Sequence, residues 1–282
     1  MRNKAIKDLS QLADEDLFSQ IEEGLKLIYD HMRSIKLDAE LLAKKGRGRG
    51  CNILKSVLEE ESAKFLVLLD AIRCPRNSPE IFTRHLVRFN SHLAKGVYSR
   101  IYELMPCGFS KIKEEAEREC REYYLDGPND VDWIFRNEVL QTREEKLYVD
   151  YVEIDGEHFW LSPERYCLSK ACCSLFVTPA VYEVASALQN AGFTSSKALR
   201  CIAEVWRSVK LHDEFRWADL RDLNIKTIEK LRKRELLSKN AQKSIGIILQ
   251  KWTYPLYGVN ISLQKVDKNE LDSIRNQYDI IW

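Results

Sequence analysis

Two arginines and a histidine recur at one-turn intervals in the first half of the chain. Arg84, Arg88 and His92 are spaced i, i+4 and i+8. In the single helix predicted from Pro79 to about Met105 they project together, and Lys95 follows on the same face. Guanidinium groups bind phosphate and stabilise developing negative charge, and imidazole transfers protons near neutral pH. The set is suited to cleaving an RNA phosphodiester with the 2′-hydroxyl as nucleophile, which needs no metal. A solvated basic helix face is the alternative.

The preceding predicted helix, which ends near Arg73, adds two glutamates and a lysine. Glu60 and Lys64 are spaced i, i+4, as in an ion pair on a helix surface. Glu61 falls in line with the apolar stripe of this helix, where a carboxylate is costly unless a cation meets it. We expect an arginine or lysine of the following helix to contact Glu61 and to orient the basic face. The alternative is a polar side chain at the edge of a helical bundle.

The composition restricts the class of protein. The chain has 282 residues, 45% of them hydrophobic, and a net charge of +1, which excludes a uniformly basic polyanion binder but allows a local basic patch. No apolar stretch approaches the roughly 18 residues of a membrane span, and no secretory signal is recognisable, so we expect a cytoplasmic protein. The eight cysteines lack a C-x-x-C spacing. We expect them to be reduced, with no metal site and no cofactor.

Hydrophobic periodicity predicts a mainly α fold in three parts. Residues 1–125 are predicted to form a helical bundle. Its four helices are predicted from Asp14 to about Lys45, from the glycine-rich turn at 46–50 to about Arg73, from Pro79 to about Met105 and from Lys111 to about Tyr124. Residues 126–162 form an acidic connector, in which the segments 147–154 and 157–161 flank Asp155-Gly156 as in a β-hairpin. Residues 163–282 are predicted to form a C-terminal helical domain.

The C-terminal part carries a concentration of basic residues. Lys226, Lys230, Lys233 and Arg234 follow helical spacing and can share one face. Such a face would bind RNA through its phosphates, without reading sequence. Alternatively, these residues meet the acidic connector of the same chain or of a second copy, because residues 130–157 contain nine acidic and three basic side chains.

The first part of the chain resembles a known family. The segment 38–71, with its glycine-containing turn and the Glu60, Glu61 and Lys64 pattern, is similar to the two opening helices of the AbiV family of abortive-infection proteins, which belongs to the HEPN superfamily. The segment 82–95 resembles the family's helix with basic residues ahead of an H-x-x-K motif, here His92 and Lys95. The resemblance covers roughly residues 15–105. It implies a HEPN-like helical bundle, usually dimeric, that acts in prokaryotic defence against phage.

The resemblance also raises the question of catalysis. HEPN ribonucleases typically have an arginine followed, after four to six residues, by a histidine. Arg88 precedes His92 by only three intervening residues, whereas Arg207 and His212, outside the similar region, have the formal spacing.

Taken together, these patterns favour a metal-independent HEPN-type endoribonuclease that acts as a dimer in abortive infection. RNA is then the substrate, and a phage-encoded protein is the expected trigger or inhibitor. The residues expected to carry the chemistry are Arg84, Arg88, His92, Lys95, Glu60, Glu61 and Lys64. The alternative is a non-catalytic HEPN-like module that binds a phage or host protein or RNA.

Overall fold

A computed structural model describes residues 2–124, 135–154, 157–163 and 176–266. In these ranges the chain is mainly helical, as predicted. The helices are α1 Arg2–Ser10, α2 Asp14–Lys44, α3 Gly48–Arg73, α4 Pro79–Val87, α5 His92–Leu104, α6 Phe109–Glu119, α7 Glu138–Leu147, α8 Ala180–Ala191, α9 Ser196–Trp206, α10 Trp217–Lys233 and α11 Gln242–Lys251. The strands are β1 Arg121–Tyr124, β2 Phe135–Asn137, β3 Asp150–Ile154, β4 Glu157–Leu161 and β5 Gln264–Lys265. No helix in the described ranges is long and apolar enough to cross a membrane.

Helix α3 is the centre of the fold. Every residue from Phe65 to Arg73 is buried, so this half of the helix is covered on all sides. The long helix α2 packs along it, and α5, α8 and α9 close around it. The apolar residues of α2 recur at helical spacing, for example Leu17, Ile21 and Leu25, which explains why this helix buries one continuous stripe.

The core does not divide at the predicted domain bounds. Side chains from both sides of the connector, from Leu17 of α2 to Val259 after α11, belong to one hydrophobic cluster. Helices α8 and α9 lie directly against α3. The bounds 1–125, 126–162 and 163–282 therefore mark stretches of sequence that share a core.

A buried polar network ties the end of α3 to the segment after α11. Asp70 pairs with Arg73 and accepts hydrogen bonds from the Tyr98 hydroxyl at 2.6 Å and from the Leu256 amide at 2.9 Å. Arg73 donates to the Thr253 carbonyl at 2.8 Å. Because buried charges persist only when they are paired and hydrogen-bonded, this network holds the C-terminal segment in one position.

The predicted single helix over 79–105 is wrong. Helix α4 ends at Val87, a short 3-10 turn follows at Arg88–Asn90, and α5 begins at His92. Ser91 has an extended backbone, and its hydroxyl accepts a hydrogen bond from the Ala94 amide at 3.2 Å. This N-cap starts a new helix, so the three-turn alignment of Arg84, Arg88 and His92 does not exist.

The strands confirm the predicted hairpin and change the predicted end of one helix. Strands β3 and β4 form the predicted antiparallel hairpin, in which Tyr151 lies opposite Trp160. Its turn, at residues 155–156, lies outside the described residues, as does the helical turn predicted in the tail beyond 266. The fourth predicted helix ends at Glu119 instead of near residue 124, because the next residues form β1 between β2 and β5. Helices α1 and α7 were not predicted.

Candidate active site

The carboxylate of Glu60, on α3, contacts the side chains of a lysine, an arginine and a histidine. Its Oε2 accepts a hydrogen bond from Lys95 Nζ at 2.6 Å. Its Oε1 lies 2.9 Å from His92 Nδ1 and 2.7 Å from Arg143 Nε. We call this group, Glu60, His92, Lys95 and Arg143, the Glu60 cluster. It joins α3, α5 and α7 at one point.

Local caps explain how the cluster is positioned. Because Ser91 caps α5, His92 is the first residue of that helix and Lys95 lies one turn later. Asn137 caps α7, since its side chain accepts from the Leu140 amide and donates to the carbonyls of Glu119 and Arg121. His92, Lys95 and Arg143 therefore lie within about two turns of a capped helix start.

A glycine allows α7 to approach α5 closely. A Cβ atom at Gly96 would lie 2.1 Å from Val139 Cγ1, which is closer than non-bonded carbon atoms come. Without a side chain at this position, α7 lies against α5. Arg143, one turn further along α7, then reaches Glu60.

The members of the cluster differ in exposure. The Lys95 side chain is 4% exposed and that of Glu60 is 22% exposed, whereas His92 is 46% exposed. Burial alone would raise the pKa of Glu60. The hydrogen bonds from Lys95, then from His92, together with the Lys95 charge and the Arg143 hydrogen bond, outweigh this effect and lower it to about 2. Glu60 is therefore a permanent anion at neutral pH, and the imidazole is its most accessible partner.

The cluster opens into a cavity of about 260 Å³ between α3, α5 and α7. The cavity is lined by five acidic side chains, His92 and five basic side chains, the last being Lys55, Lys95, Arg100, Arg143 and Lys146. Glu59 also lines it, and burial raises its pKa while Lys146 and Lys55 counteract this only in part. The pKa of Glu59 is thus raised and that of the neighbouring Glu60 is lowered. Neighbouring carboxyls whose pKa values are shifted apart are typical of sites that transfer protons.

The geometry defines what His92 can do. In the neutral imidazole, a proton on Nδ1 donated to the Glu60 carboxylate leaves Nε2 free to accept a proton, and the tautomer is assigned from this hydrogen bond. The carboxylate also fixes the ring and favours the imidazolium that forms when Nε2 is protonated. This geometry allows a general-base role for His92, with Glu60 as the residue that positions it.

The other predicted residues lie outside the cluster. Arg88 is buried and donates to the carbonyls of Leu256 and Val259, so it holds the C-terminal segment in place. Arg84 is exposed on α4. The expected basic face of Arg84, Arg88 and His92 is therefore wrong.

Glu60 and Glu61 each pair with the kind of partner that the sequence predicts for the other. Glu61 Oε1 pairs with Lys64 Nζ at 2.5 Å within α3, whereas the cation from the next helix, Lys95, meets Glu60. The predicted Glu60–Lys64 pair is not formed in this arrangement. Residues 60 and 61 lie 100° apart around the helix. Because α5 starts a new helix at His92, the side chain of His92 faces Glu60 and not Glu61.

The Arg207–His212 spacing does not correspond to a comparable cluster. Arg207 contacts the Ile72 carbonyl at 3.3 Å and Asp14 Oδ2 at 2.5 Å, which joins α9 to α2 and α3. His212 stacks on Phe215 with ring centroids 4.1 Å apart. Both side chains thus have local packing partners.

The basic set of α10 is partly neutralised by α9. Lys230 Nζ lies 2.6 Å from Glu204 Oε2, and Arg234 donates two hydrogen bonds to the same carboxylate. Lys226 and Lys233 remain exposed. Among the described residues, the acid that meets Lys230 and Arg234 is Glu204 of α9.

Arg143 is not among the residues that the sequence predicts to carry the chemistry. The signal that could have found it is Asn137, an N-cap residue followed by Glu138 in a first turn. A helix from 138 places Arg143 and Lys146 at i, i+3, on one face.

Comparison with known proteins gives no relative. No protein-family model, curated protein or solved structure matches this chain. The AbiV and HEPN resemblance therefore stays a prediction.

Proposed function

We propose that this protein is a metal-independent endoribonuclease of prokaryotic anti-phage defence, acting as a dimer. The observation that carries the proposal is the Glu60–His92 pair at 2.9 Å, at the mouth of a cavity lined by five basic side chains. An exposed imidazole held by a permanent carboxylate is the arrangement that general-base catalysis requires.

In the proposed reaction, His92 Nε2 takes the proton of a ribose 2′-hydroxyl. The 2′-oxygen attacks the adjacent phosphorus, and the bond from phosphorus to the 5′-oxygen of the next nucleotide breaks. That oxygen leaves with a proton from an acid, so the products are a 2′,3′-cyclic phosphate and a 5′-hydroxyl. In a dimer with a composite site, a protonated histidine of the second copy supplies this proton.

The basic side chains have different roles in this scheme. Lys95 is 4% exposed and binds Glu60, so it positions the carboxylate and does not reach solvent. Arg143, 32% exposed, and Lys146, beside it in the cavity lining, are better placed to hold a phosphate. Arg88 takes no part, because it is buried against the C-terminal segment.

The biological setting of the proposal comes from the resemblance of residues 15–105 to the AbiV family. On that basis the protein acts in the cytoplasm during abortive infection and responds to a phage-encoded protein. Ala94 and Tyr98, the apolar residues on α5 near His92 and Lys95, are buried in the core and do not offer a surface to a second copy. A dimer must therefore use another surface.

The test compares two histidine variants on total cellular RNA in EDTA. We expect the unaltered protein to cleave and His92→Ala to lose cleavage by about 100-fold or more, as for removal of a general base. His212→Ala is the matched control and should retain activity, because His212 lies outside the cavity lining. Analysis of the cleaved ends should show 2′,3′-cyclic phosphate. Activity lost in His212→Ala and kept in His92→Ala would reject the assignment.

A second function is supported by one feature of the same cavity. Its five acidic side chains equal its five basic ones in number, which weakens the attraction for a polyanion. A non-catalytic module that binds a phage or host protein or RNA would tolerate this balance. Binding of a partner without any cleavage, unchanged in His92→Ala, would favour this alternative.

A further inference from the structure

The β3–β4 hairpin presents aromatic rings to solvent. Tyr151 and Trp160 lie opposite each other, with ring centroids 5.1 Å apart, and are 58% and 65% exposed. The ring of His158 stacks on Tyr151 at 5.9 Å. Tyr148 and Val149, which lead into the hairpin, are also more than half exposed. Exposed apolar side chains therefore continue from the end of α7 into the hairpin, and Tyr151 and Trp160 are the pair in contact.

The fold does not account for this exposure. A cross-strand aromatic pair helps to hold a hairpin together, but most of both ring surfaces remains in water. In the described part of the chain, β3 and β4 form a two-stranded sheet of their own. Two-stranded hairpins are marginally stable by themselves, so a partner that covers the rings would stabilise the hairpin as well.

The charge of the hairpin identifies the chemistry of that partner. Residues 147–161 contain four carboxylates and no lysine or arginine. Such a segment repels phosphate and attracts cations, and Trp and Tyr faces are the rings that bind cations best. Single-stranded nucleic acid also stacks on aromatic rings, but it requires a positively charged groove beside them.

We propose that the Tyr151–Trp160 face binds an arginine- or lysine-rich segment of a partner protein. The rings receive the cationic side chains, and the carboxylates of residues 147–161 supply the long-range attraction. The proposal does not rest on the ribonuclease activity, because it uses none of the Glu60 cluster.

The test measures the affinity of the full chain for three labelled probes by fluorescence anisotropy. These are an Arg-Gly repeat peptide, a Glu-Gly repeat peptide and a single-stranded oligouridylate. We expect the Arg-Gly peptide to bind and the Glu-Gly peptide not to bind, and added salt to weaken the Arg-Gly complex. Tyr151→Ala and Trp160→Ala should each weaken binding about fivefold, the usual contribution of one partly exposed ring. Oligouridylate bound at the Glu60 cluster should bind equally well to Trp160→Ala.

A matched control is Leu37→Ala, which removes an exposed apolar side chain from α2 and should leave the affinity unchanged. Glu153→Gln with Glu157→Gln tests the charge and should reduce the salt dependence. Far-UV circular dichroism checks that the helical fold is retained.

Three results would overturn the proposal. Binding of oligouridylate that Trp160→Ala abolishes would make the face a stacking surface for nucleic acid. Self-association that Trp160→Ala abolishes would make it an interface between copies of this chain. The absence of Arg-Gly binding, or equal binding by all variants, would show that the rings do not recognise cations.

Discussion

Glu60→Gln should destabilise the protein although it removes only a charge. In the folded protein, hydrogen bonds from Lys95, then from His92, outweigh burial and, with Arg143, lower the pKa of Glu60 from 4.5 to about 2. Since a tenfold change in an acid dissociation constant corresponds to about 1.4 kcal/mol, the carboxylate contributes about 3 kcal/mol to the free energy of unfolding at neutral pH. A glutamine keeps part of the hydrogen bonding, so we expect a loss of about 2–3 kcal/mol. Urea unfolding followed by circular dichroism at pH 7 measures it.

The same substitution predicts a pH dependence of defined sign. A group whose pKa is lower in the folded state stabilises above its unfolded pKa and loses that contribution as the pH falls. The difference in unfolding free energy between the unaltered protein and Glu60→Gln should therefore shrink as the pH falls from about 4.5 to about 2. Groups that titrate identically in both proteins cancel from this difference.

The neighbouring residue is the control. Glu61 pairs only with Lys64 of its own helix among the contacts described, and such i, i+3 pairs contribute about 0.2–0.5 kcal/mol. Glu61→Gln should lower the unfolding free energy by no more than that amount and leave its dependence on pH below about 5 unchanged. If the two variants cost the same, or if the Glu60→Gln difference persists undiminished at pH 2, the Glu60 cluster does not stabilise the protein as described.

Two further substitutions test the parts of the fold that position the site. Arg88→Ala should lower the unfolding free energy by about 2–4 kcal/mol, because it leaves two buried carbonyls without donors. The control is Arg84→Ala, which removes an exposed side chain and should change the unfolding free energy by about 0.5 kcal/mol or less. Equal losses of unfolding free energy for the two variants, in thermal or urea unfolding, would contradict the buried role of Arg88. Gly96→Ala should loosen α7, because the new Cβ meets Val139 Cγ1, and hydrogen exchange over 138–147 should become faster. Adding Val139→Ala to the same chain should restore the protection. If Gly96→Ala instead only raises stability, as expected for a better helix former, α7 does not lie against α5.

The elements with long apolar periodicity were predictable from sequence. Helices α2 and α3 begin and end within three residues of their predicted bounds, and the alternating segments 147–154 and 157–161 form the hairpin. Helix α7 was missed because it buries no side chain completely, so its sequence carries little hydrophobic pattern. It is recognisable only through its cap and its contacts with α3 and α5.

The candidate site depends on the break between α4 and α5, where the sequence predicts one continuous helix. His92, Lys95 and Glu60 are among the residues that the sequence predicts to carry the chemistry, but a continuous helix would have placed His92 beside Arg88. A single serine hydroxyl that satisfies the Ala94 amide ends that continuity, because a capped start competes well with an uninterrupted helix. The break sends Arg88 into the core and turns His92 towards Glu60. The arginine that accompanies the histidine is therefore Arg143, which lies 51 residues further along the chain and belongs to a different helix. A motif defined by spacing along one helix cannot detect such a pair, whereas a search for N-caps around each candidate histidine would have exposed the break.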